Sequence, residues 1–167
     1  MIRVRREEDI DECVSLLHSV HEREGYPRGT NDFRRFITHS TQEAWVAELD
    51  TNIVGHIAVG EADAEDLAVR TWNSLHPEDD NIALAKRLFV HPDARGKGIA
   101  ASLLKHAAAY GTTNRKRLVL FVLIADEAAI RLYRRLGWEE YGTGSFRFRN
   151  DLQMSMDAIC FASPAGA

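Results

Sequence analysis

Several things are scarce in this chain of 167 residues, and each scarcity excludes a class of protein. Its two cysteines, Cys13 and Cys160, are too few for a disulfide framework and lack the paired spacing of a zinc site. Both read as reduced thiols in a cytoplasmic protein, Cys13 packed within a helix, with a chance disulfide as the minor alternative. No His-Glu-x-x-His pattern occurs, and His18 and His21 merely stand three apart, so no metal is expected. No apolar run approaches the roughly 20 residues needed to span a bilayer. The start, Met1-Ile2-Arg3-Val4-Arg5-Arg6, lacks the apolar stretch of a signal peptide, so no membrane partner is expected. The net charge of −4 gives no basic excess for nucleic acid. No linker or internal repeat is visible, and one domain over residues 1–160 is expected, followed by a frayed small-residue tail, 161–167.

What is present is an ordinary globular composition, 45% hydrophobic and 28% charged. Ile2 to Arg5 reads as a first strand. Ile10, Cys13, Val14, Leu17 and Val20 recur at helical spacing, with Asp9 as the candidate cap and Glu12 three positions on. Asn31 or Asp32 starts a short second helix carrying Phe33, Phe36 and Ile37. Ala44–Leu49 and Ile53–Val59 form a hairpin around Asp50-Thr51-Asn52. Residues 61–81 are acidic and without clear period, apart from a short helix around Glu65 to Trp72. Ile82–Val90 is a strand, residues 98–110 a helix, and Leu118–Ile124 a strand covered on both faces. A helix from about Asp126 ends at Gly137. Residues 146–149 and 152–156 alternate around Asn150-Asp151 as a last hairpin.

The segment with the most chemical content is Arg95-Gly96-Lys97-Gly98-Ile99-Ala100-Ala101, between the strand ending Arg87-Leu88-Phe89-Val90 and a helix. A glycine-rich helix start presents unpaired N–H groups and the positive end of a helix dipole, which suits phosphate. A P-loop would need Ser or Thr after Gly96-Lys97 and a glycine in place of His91, and the chain has neither. The dinucleotide fingerprint is matched literally by Gly96, Gly98 and Ala101. However, His91 to Arg95 intervene after the strand, and Asp126 falls late for the acidic partner.

Arg95, Gly98 and Ala100 in R-x-x-G-x-A resemble the pyrophosphate-binding motif of the GNAT superfamily of acyl-CoA-dependent N-acetyltransferases. The wider run from Arg87 to Ala100 resembles that family's strand-turn-helix. Ala129-Ile130-Arg131-Leu132-Tyr133, then Leu136-Gly137-Trp138, resembles its later A-x-x-L-Y-x-x-x-G-[FW] helix. The resemblance covers nearly the whole chain, strongly from 82 to 138 and weakly over 20–40 and 60–81. It implies an α/β (α+β) fold: a central, mixed, mostly antiparallel twisted sheet of six to seven strands flanked by about four helices. The fourth strand is implied to be bulged and splayed from the fifth.

The resemblance implies acetyl-CoA as acyl donor and an amine as acceptor. Leu88, Phe89 and Val90 would line the pantetheine arm, and the amides of Arg95 to Ala101 would hold the pyrophosphate. The Val90 amide is the implied oxyanion donor. Tyr133 is the implied general acid toward the thiolate, against its reading as a core aromatic. Asp126 falls where relatives carry an Asn on the cofactor arm, or else it caps its helix. Leu84 occupies the place of the family's usual Glu base, leaving Glu48, His56, His91 or a water chain. Tyr26, Phe33 and Trp72 are candidate walls for the acceptor, against a packed reading of each. A non-catalytic acyl-CoA sensor and an NAD-dependent oxidoreductase stand as alternatives. A monomer and a homodimer are equally compatible with the sequence.

Overall fold

The computed structural model describes residues 1–148 and 151–165, with backbone alone for 146–148 and 151–155. Seven strands form one sheet in the order β1-β2-β3-β4-β5-β7-β6. They are β1 (Ile2–Val4), β2 (Thr41–Leu49), β3 (Asn52–Gly60), β4 (Ile82–Val90), β5 (Arg117–Leu123), β6 (Glu139–Phe148) and β7 (Asp151–Ala162). Five helices accompany them: α1 (Ile10–Glu24), α2 (Phe33–Thr38), α3 (Leu67–Leu75), α4 (Ile99–Thr113) and α5 (Glu127–Arg135). β4 and β5 are parallel, pairing Ile82–Leu84 with Arg117–Val119, while β1-β2, β2-β3, β5-β7 and β6-β7 are antiparallel. This is the mixed, mostly antiparallel sheet expected, with one helix more.

The chain divides into two compact units. The first comprises Met1–Gly60 with Ala85–Ala107, and the second Glu61–Leu84 with Ala108–Ala167. In the first, the apolar stripe of α1 packs with Phe33 and Ile37 of α2, Val46 and Ile53 of the hairpin, and Phe89. The hairpin closes through Asp50 and Thr51, both at positive φ (51° and 68°), which matches a two-residue turn to the right-handed strand twist. Asp32 starts α2 by accepting from the Arg35 N–H at 3.1 Å. Asp9 does not cap α1 as expected. A 3-10 turn over Glu7–Asp9 leads straight into α1, and the Asp9 carboxylate instead accepts from the Arg3 guanidinium (2.7 and 2.9 Å) and the Arg6 N–H (2.6 Å). Glu12 accepts from the Ile53 N–H at 2.6 Å, a bond from helix to hairpin rather than half of a cap.

In the second unit, Leu67, Ala68, Val69 and Trp72 of α3 pack with Val119 of β5 and Ala158 and Cys160 of β7. Asp66 caps α3 by accepting from the Ala68 N–H at 2.8 Å, so the acidic stretch holds a true helix that runs on to Leu75. β6 begins at Glu139, well before the hairpin expected from alternation. Its signal is hidden because α3 lies against two of its glycines. A Cβ on Gly142 would stand 2.6 Å from Thr71 Cγ2, and one on Gly144 would stand 2.7 Å from Leu67 Cδ1. Of the hairpin expected around Asn150-Asp151, Arg149 and Asn150 fall outside the described residues, and Asp151 is the first residue of β7. The first residues of the tail expected to fray, 161–163, are held instead. Phe161 and Ala162 are buried in β7, and the Ser163 Oγ accepts from the Leu118 N–H at 2.9 Å, while its carbonyl accepts from Arg117 at 2.7 Å.

Asp9 yields the first test. Its bonds to Arg3 hold its carboxyl down at about 2, against an ordinary 3.8. A depressed acid contributes stability above its unfolded value and loses it as pH falls through its folded value. Asp9→Asn is therefore expected to cost about 1–2 kcal/mol at pH 7. Urea titrations should show the gap to the unmodified chain narrowing between pH 4 and 2.

Candidate active site

The glycine segment is placed by its neighbours on both sides. β4 ends at Val90, and the His91 N–H donates to the Val54 carbonyl at 2.8 Å. Pro92–Ala94 form a 3-10 turn capped by His91, whose Nδ1 accepts from the Asp93 N–H at 3.1 Å. Gly96 and Gly98 follow at φ 78° and 75°, and a Cβ on either would meet nothing within 4 Å. Both conformations are left-handed, where glycine is unstrained. α4 starts at Ile99, with the Ser102 N–H returning to the Gly98 carbonyl at 3.0 Å. Helix geometry therefore leaves the N–H groups of Ile99, Ala100 and Ala101 without an intrahelical acceptor. The first turn of α4 is pressed onto β3 at Gly55, where a Cβ would come within 3.1 Å of both Ile99 and Leu103.

Two ion pairs, which nothing in the local sequence signals, tie this turn to the end of α1. Arg95 forks onto Glu24, one arm at 2.6 Å, and also donates to the Val90 carbonyl at 3.2 Å. Arg23 pairs with Asp93 at 3.2 Å. The Arg95 side chain is thus engaged by a carboxylate and a strand-end carbonyl. Lys97 is exposed.

β4 is irregular just before this turn. Arg87 has φ 58°, a left-handed conformation rare in a strand and a mark of a bulge. β4 is buried over 82–85, half-buried over 86–88 around the bulge, and buried again at Phe89 and Val90 (4% and 6% exposed). The bulged residue is gripped at both ends. Its Nε donates to the Phe36 carbonyl at 2.9 Å, and its guanidinium lies 3.8 Å from the Phe36 ring centre. Its carbonyl is 2.8 Å from Nδ1 of His56, which is fully buried. The other ring nitrogen of His56 is 2.9 Å from the Arg5 guanidinium. Arginine only donates, so His56 Nε2 accepts, the ring proton sits on Nδ1, and Nδ1–H donates to the Arg87 carbonyl. Burial, with the Arg5 and Arg87 charges adding to it, holds the imidazole down at about 3.

The other candidate bases also have structural partners. Glu48 pairs with Arg3, and His91 caps its turn. Leu84 is buried in the apolar cluster of the second unit.

In the second unit, Tyr133 is buried on α5 against Trp138 (ring centres 5.5 Å apart) and Phe161 (5.4 Å). The spacing Leu-Tyr-x-x-x-Gly-Trp here has a direct physical meaning. α5 closes in a Schellman motif: the Trp138 N–H donates to the Tyr133 carbonyl (3.0 Å), the Gly137 N–H donates to that of Arg134 (3.1 Å), and Gly137 has φ 82°. The Tyr133–Trp138 ring contact is the apolar clasp that accompanies such a cap. Asp126 caps the same helix, accepting from the Ala129 N–H at 3.2 Å, as the second of its two readings anticipated.

Of the acceptor-wall candidates, Phe33 and Trp72 are core residues, 5% and 4% exposed, in the clusters of different units. Tyr26 is half-buried against Phe36 and Phe89. Both cysteines are free and buried. No metal-ligand cluster and no helix long and apolar enough to cross a membrane occur among the described residues.

The family model of the acetyltransferase (GNAT) domain matches residues 40–140. The chain belongs to the GNAT acetyltransferases. An uncharacterized N-acetyltransferase of Methanocaldococcus jannaschii is 39% identical over 64 residues, 38% of this chain and 28% of that relative's length. The ribosomal-protein-alanine N-acetyltransferase of Brucella melitensis has the same fold, with a TM-score of 0.72 at 19% identity over 99% of each chain. So does Arabidopsis thaliana NAA60 in complex with acetyl-CoA, with a TM-score of 0.71 at 16% identity over 97% of this chain and 96% of that one. Membership removes the oxidoreductase alternative. The dinucleotide match at Gly96, Gly98 and Ala101 lies between the parallel strands β4 and β5, but the 3-10 turn over Pro92–Ala94 separates it from β4, where that fingerprint follows its strand directly.

The imidazole of His56 gives a pH test with a fixed sign. Below about pH 6.5 the unfolded chain takes up a proton that the folded chain refuses, so stability falls with pH by up to about 1.4 kcal/mol per unit. His56→Asn lacks that proton site, so the stability gap between the two chains is expected to shrink from pH 7 to pH 4.5 in urea denaturation. Parallel curves would mean the ring is not buried neutral.

Proposed function

We propose that this chain acts as one N-acetyltransferase domain, moving an acetyl group from acetyl-CoA directly to a primary amine. The observation that carries this reading is the open glycine turn, with Gly96 and Gly98 both left-handed and unobstructed, feeding α4 immediately after a bulged β4. That cradle suits a pyrophosphate, since the main-chain N–H groups of Arg95, Gly96, Lys97, Gly98, Ile99, Ala100 and Ala101 donate where no side chain intrudes. A strand interrupted by a bulge has main-chain groups free of regular pairing, and Leu88, Phe89 and Val90 would offer theirs to the pantetheine arm as a partner strand does. Asp126, with one oxygen committed to its helix cap, would contact the same arm only as an acceptor.

An acyl-CoA brings a thioester, whose carbonyl is the electrophile and whose thiolate is the leaving group. The residues of this chain would then have three tasks. The Val90 N–H would stabilise negative charge on the carbonyl oxygen. The Tyr133 phenol would give its proton to the departing sulfur. The amine must arrive deprotonated or lose its proton to water, because His56 accepts from Arg5, Glu48 is paired with Arg3 and Leu84 has no carboxylate.

The buried Leu84, at the place of the family's usual carboxylate, also favours a second reading: a non-catalytic acyl-CoA sensor on the same fold.

An amine panel followed by thiol release separates the two. Turnover with any amine supports transfer, while acetyl-CoA binding without thiol release across the panel supports the sensor. Two variants test the roles. Tyr133→Phe is expected to lower kcat by about 10²-fold or more with acetyl-CoA affinity nearly unchanged, and unchanged turnover removes the phenol from the reaction. Gly98→Ala adds a Cβ at positive φ and is expected to weaken acetyl-CoA about tenfold while costing about 1 kcal/mol of stability. Calorimetric titration and thermal unfolding read the two effects separately.

A further inference from the structure

We infer that His56 is a positioning residue for the acyl donor: through its Nδ1–H bond to the Arg87 carbonyl it fixes the β4 bulge, and with it the main-chain groups of Leu88 to Val90. The inference rests on the acyltransfer reading above for what those groups bind. It rests on geometry for how they are held. Arg87 is in a conformation that a non-glycine residue keeps only when its surroundings impose it. Three contacts impose it here: Nε to the Phe36 carbonyl at 2.9 Å, the guanidinium over the Phe36 ring at 3.8 Å, and the carbonyl on His56 at 2.8 Å. Of these, the third alone grips the main chain, and it comes from a neutral side chain that is fully buried.

The ring has no freedom to serve another purpose. Arg5 donates to Nε2 at 2.9 Å and is itself anchored by donating to the Ile37 carbonyl at 3.2 Å. That fixes the tautomer, and a charged donor on one nitrogen strengthens the bond made by the other. Phe89 lies flat on the imidazole, ring centres 4.9 Å apart at 15°, so the residue two beyond the bulge is registered against the same ring. A chain of contacts thus runs Arg5, His56, Arg87 carbonyl, Phe89, and ends next to Val90. A side chain used only to fill the core needs no such directed pair of bonds; Leu or Phe fills the space without a buried polar cost.

The two ring nitrogens are separable by substitution. Asn places its amide near Nδ1 and retains the donation to Arg87, whereas Gln reaches the Nε2 position and retains only the contact with Arg5. Coenzyme A binding by calorimetry on folded protein is the readout, with amide hydrogen exchange of residues 87–90 beside it and residues 67–75 of α3 as internal control. His56→Gln is expected to weaken coenzyme A at least tenfold and to speed exchange at 87–90 but not at 67–75. His56→Asn is expected to stay within threefold of the unmodified chain. A purely structural role would lower the melting temperature of both variants and leave the affinity of the folded fraction unchanged; that result overturns the inference. If His56→Gln does not fold, His56→Leu is read in its place. It fills the space but has no donor for the Arg87 carbonyl, and an affinity within experimental error of the unmodified chain overturns the inference. Failure of the unmodified chain to bind coenzyme A sinks the acyltransfer reading itself, whereas binding that is indifferent to His56→Gln sinks only the role of His56.

Discussion

A strand that carries a left-handed residue in its interior needs something to hold it there. Arg87 costs backbone energy that a regular strand does not spend, on the order of 1–3 kcal/mol for such a conformation. His56 on β3, Phe36 on α2 and, behind the imidazole, Arg5 following β1 converge on that residue. Most of the first unit is therefore organised around one irregular point. α2 contributes a carbonyl and a ring face, and the hairpin contributes a buried neutral histidine. The apolar cluster of α1 closes over Phe89 immediately beyond. The arrangement is costly to mutate because His56 is fully buried, and Arg5 and Phe36, half-buried, are already committed.

The glycine turn depends on the same economy of partners. A Cβ on Gly96 or Gly98 would meet nothing within 4 Å, and the polar side chains before them are occupied elsewhere: Arg95 by Glu24 and the Val90 carbonyl, Asp93 by Arg23, His91 by the turn it caps. A cationic side chain satisfied by a carboxylate does not cover the neighbouring N–H groups. Gly55 lets the first turn of α4 lie directly on β3, which fixes the direction in which those groups point. The second unit shows the same reliance on absent side chains, with Gly142 and Gly144 on β6 making the surface on which α3 rests.

Much of this was readable from the residues. The strand before the glycines, the helix after them and the Asp50-Thr51 turn follow from period and turn chemistry. So does the A-x-x-L-Y-x-x-x-G-W helix, whose spacing turns out to encode a Schellman cap clasped by Tyr133 and Trp138. Other features left no local trace. β6 was hidden because two of the residues that meet α3, Gly142 and Gly144, carry no hydrophobic signal. Asp9 and Glu12 have the spacing of a capping box yet serve Arg3, Arg6 and Ile53, because a 3-10 turn already precedes α1. Phe33 and Trp72, candidate walls in segments where the family resemblance is weak, are each the apolar anchor of a short helix.

The sequence by itself determined the family, the order of most elements and the glycine-rich start of α4. Those properties are written in short-range patterns: alternation, helical period, glycines at a helix start, a cap at a helix end. Tertiary structure alone decided which charged groups are spent on one another. Arg95 with Glu24, Arg3 with Asp9 and Glu48, and Arg5 with His56 are separated by tens of residues or join different elements, so no local pattern announces them. Their pairing leaves backbone, rather than side chains, as the chemistry offered by the glycine turn. It also turns a histidine that read as a candidate base into a fixed hydrogen-bond donor, because burial beside an arginine leaves the ring one protonation state and one tautomer.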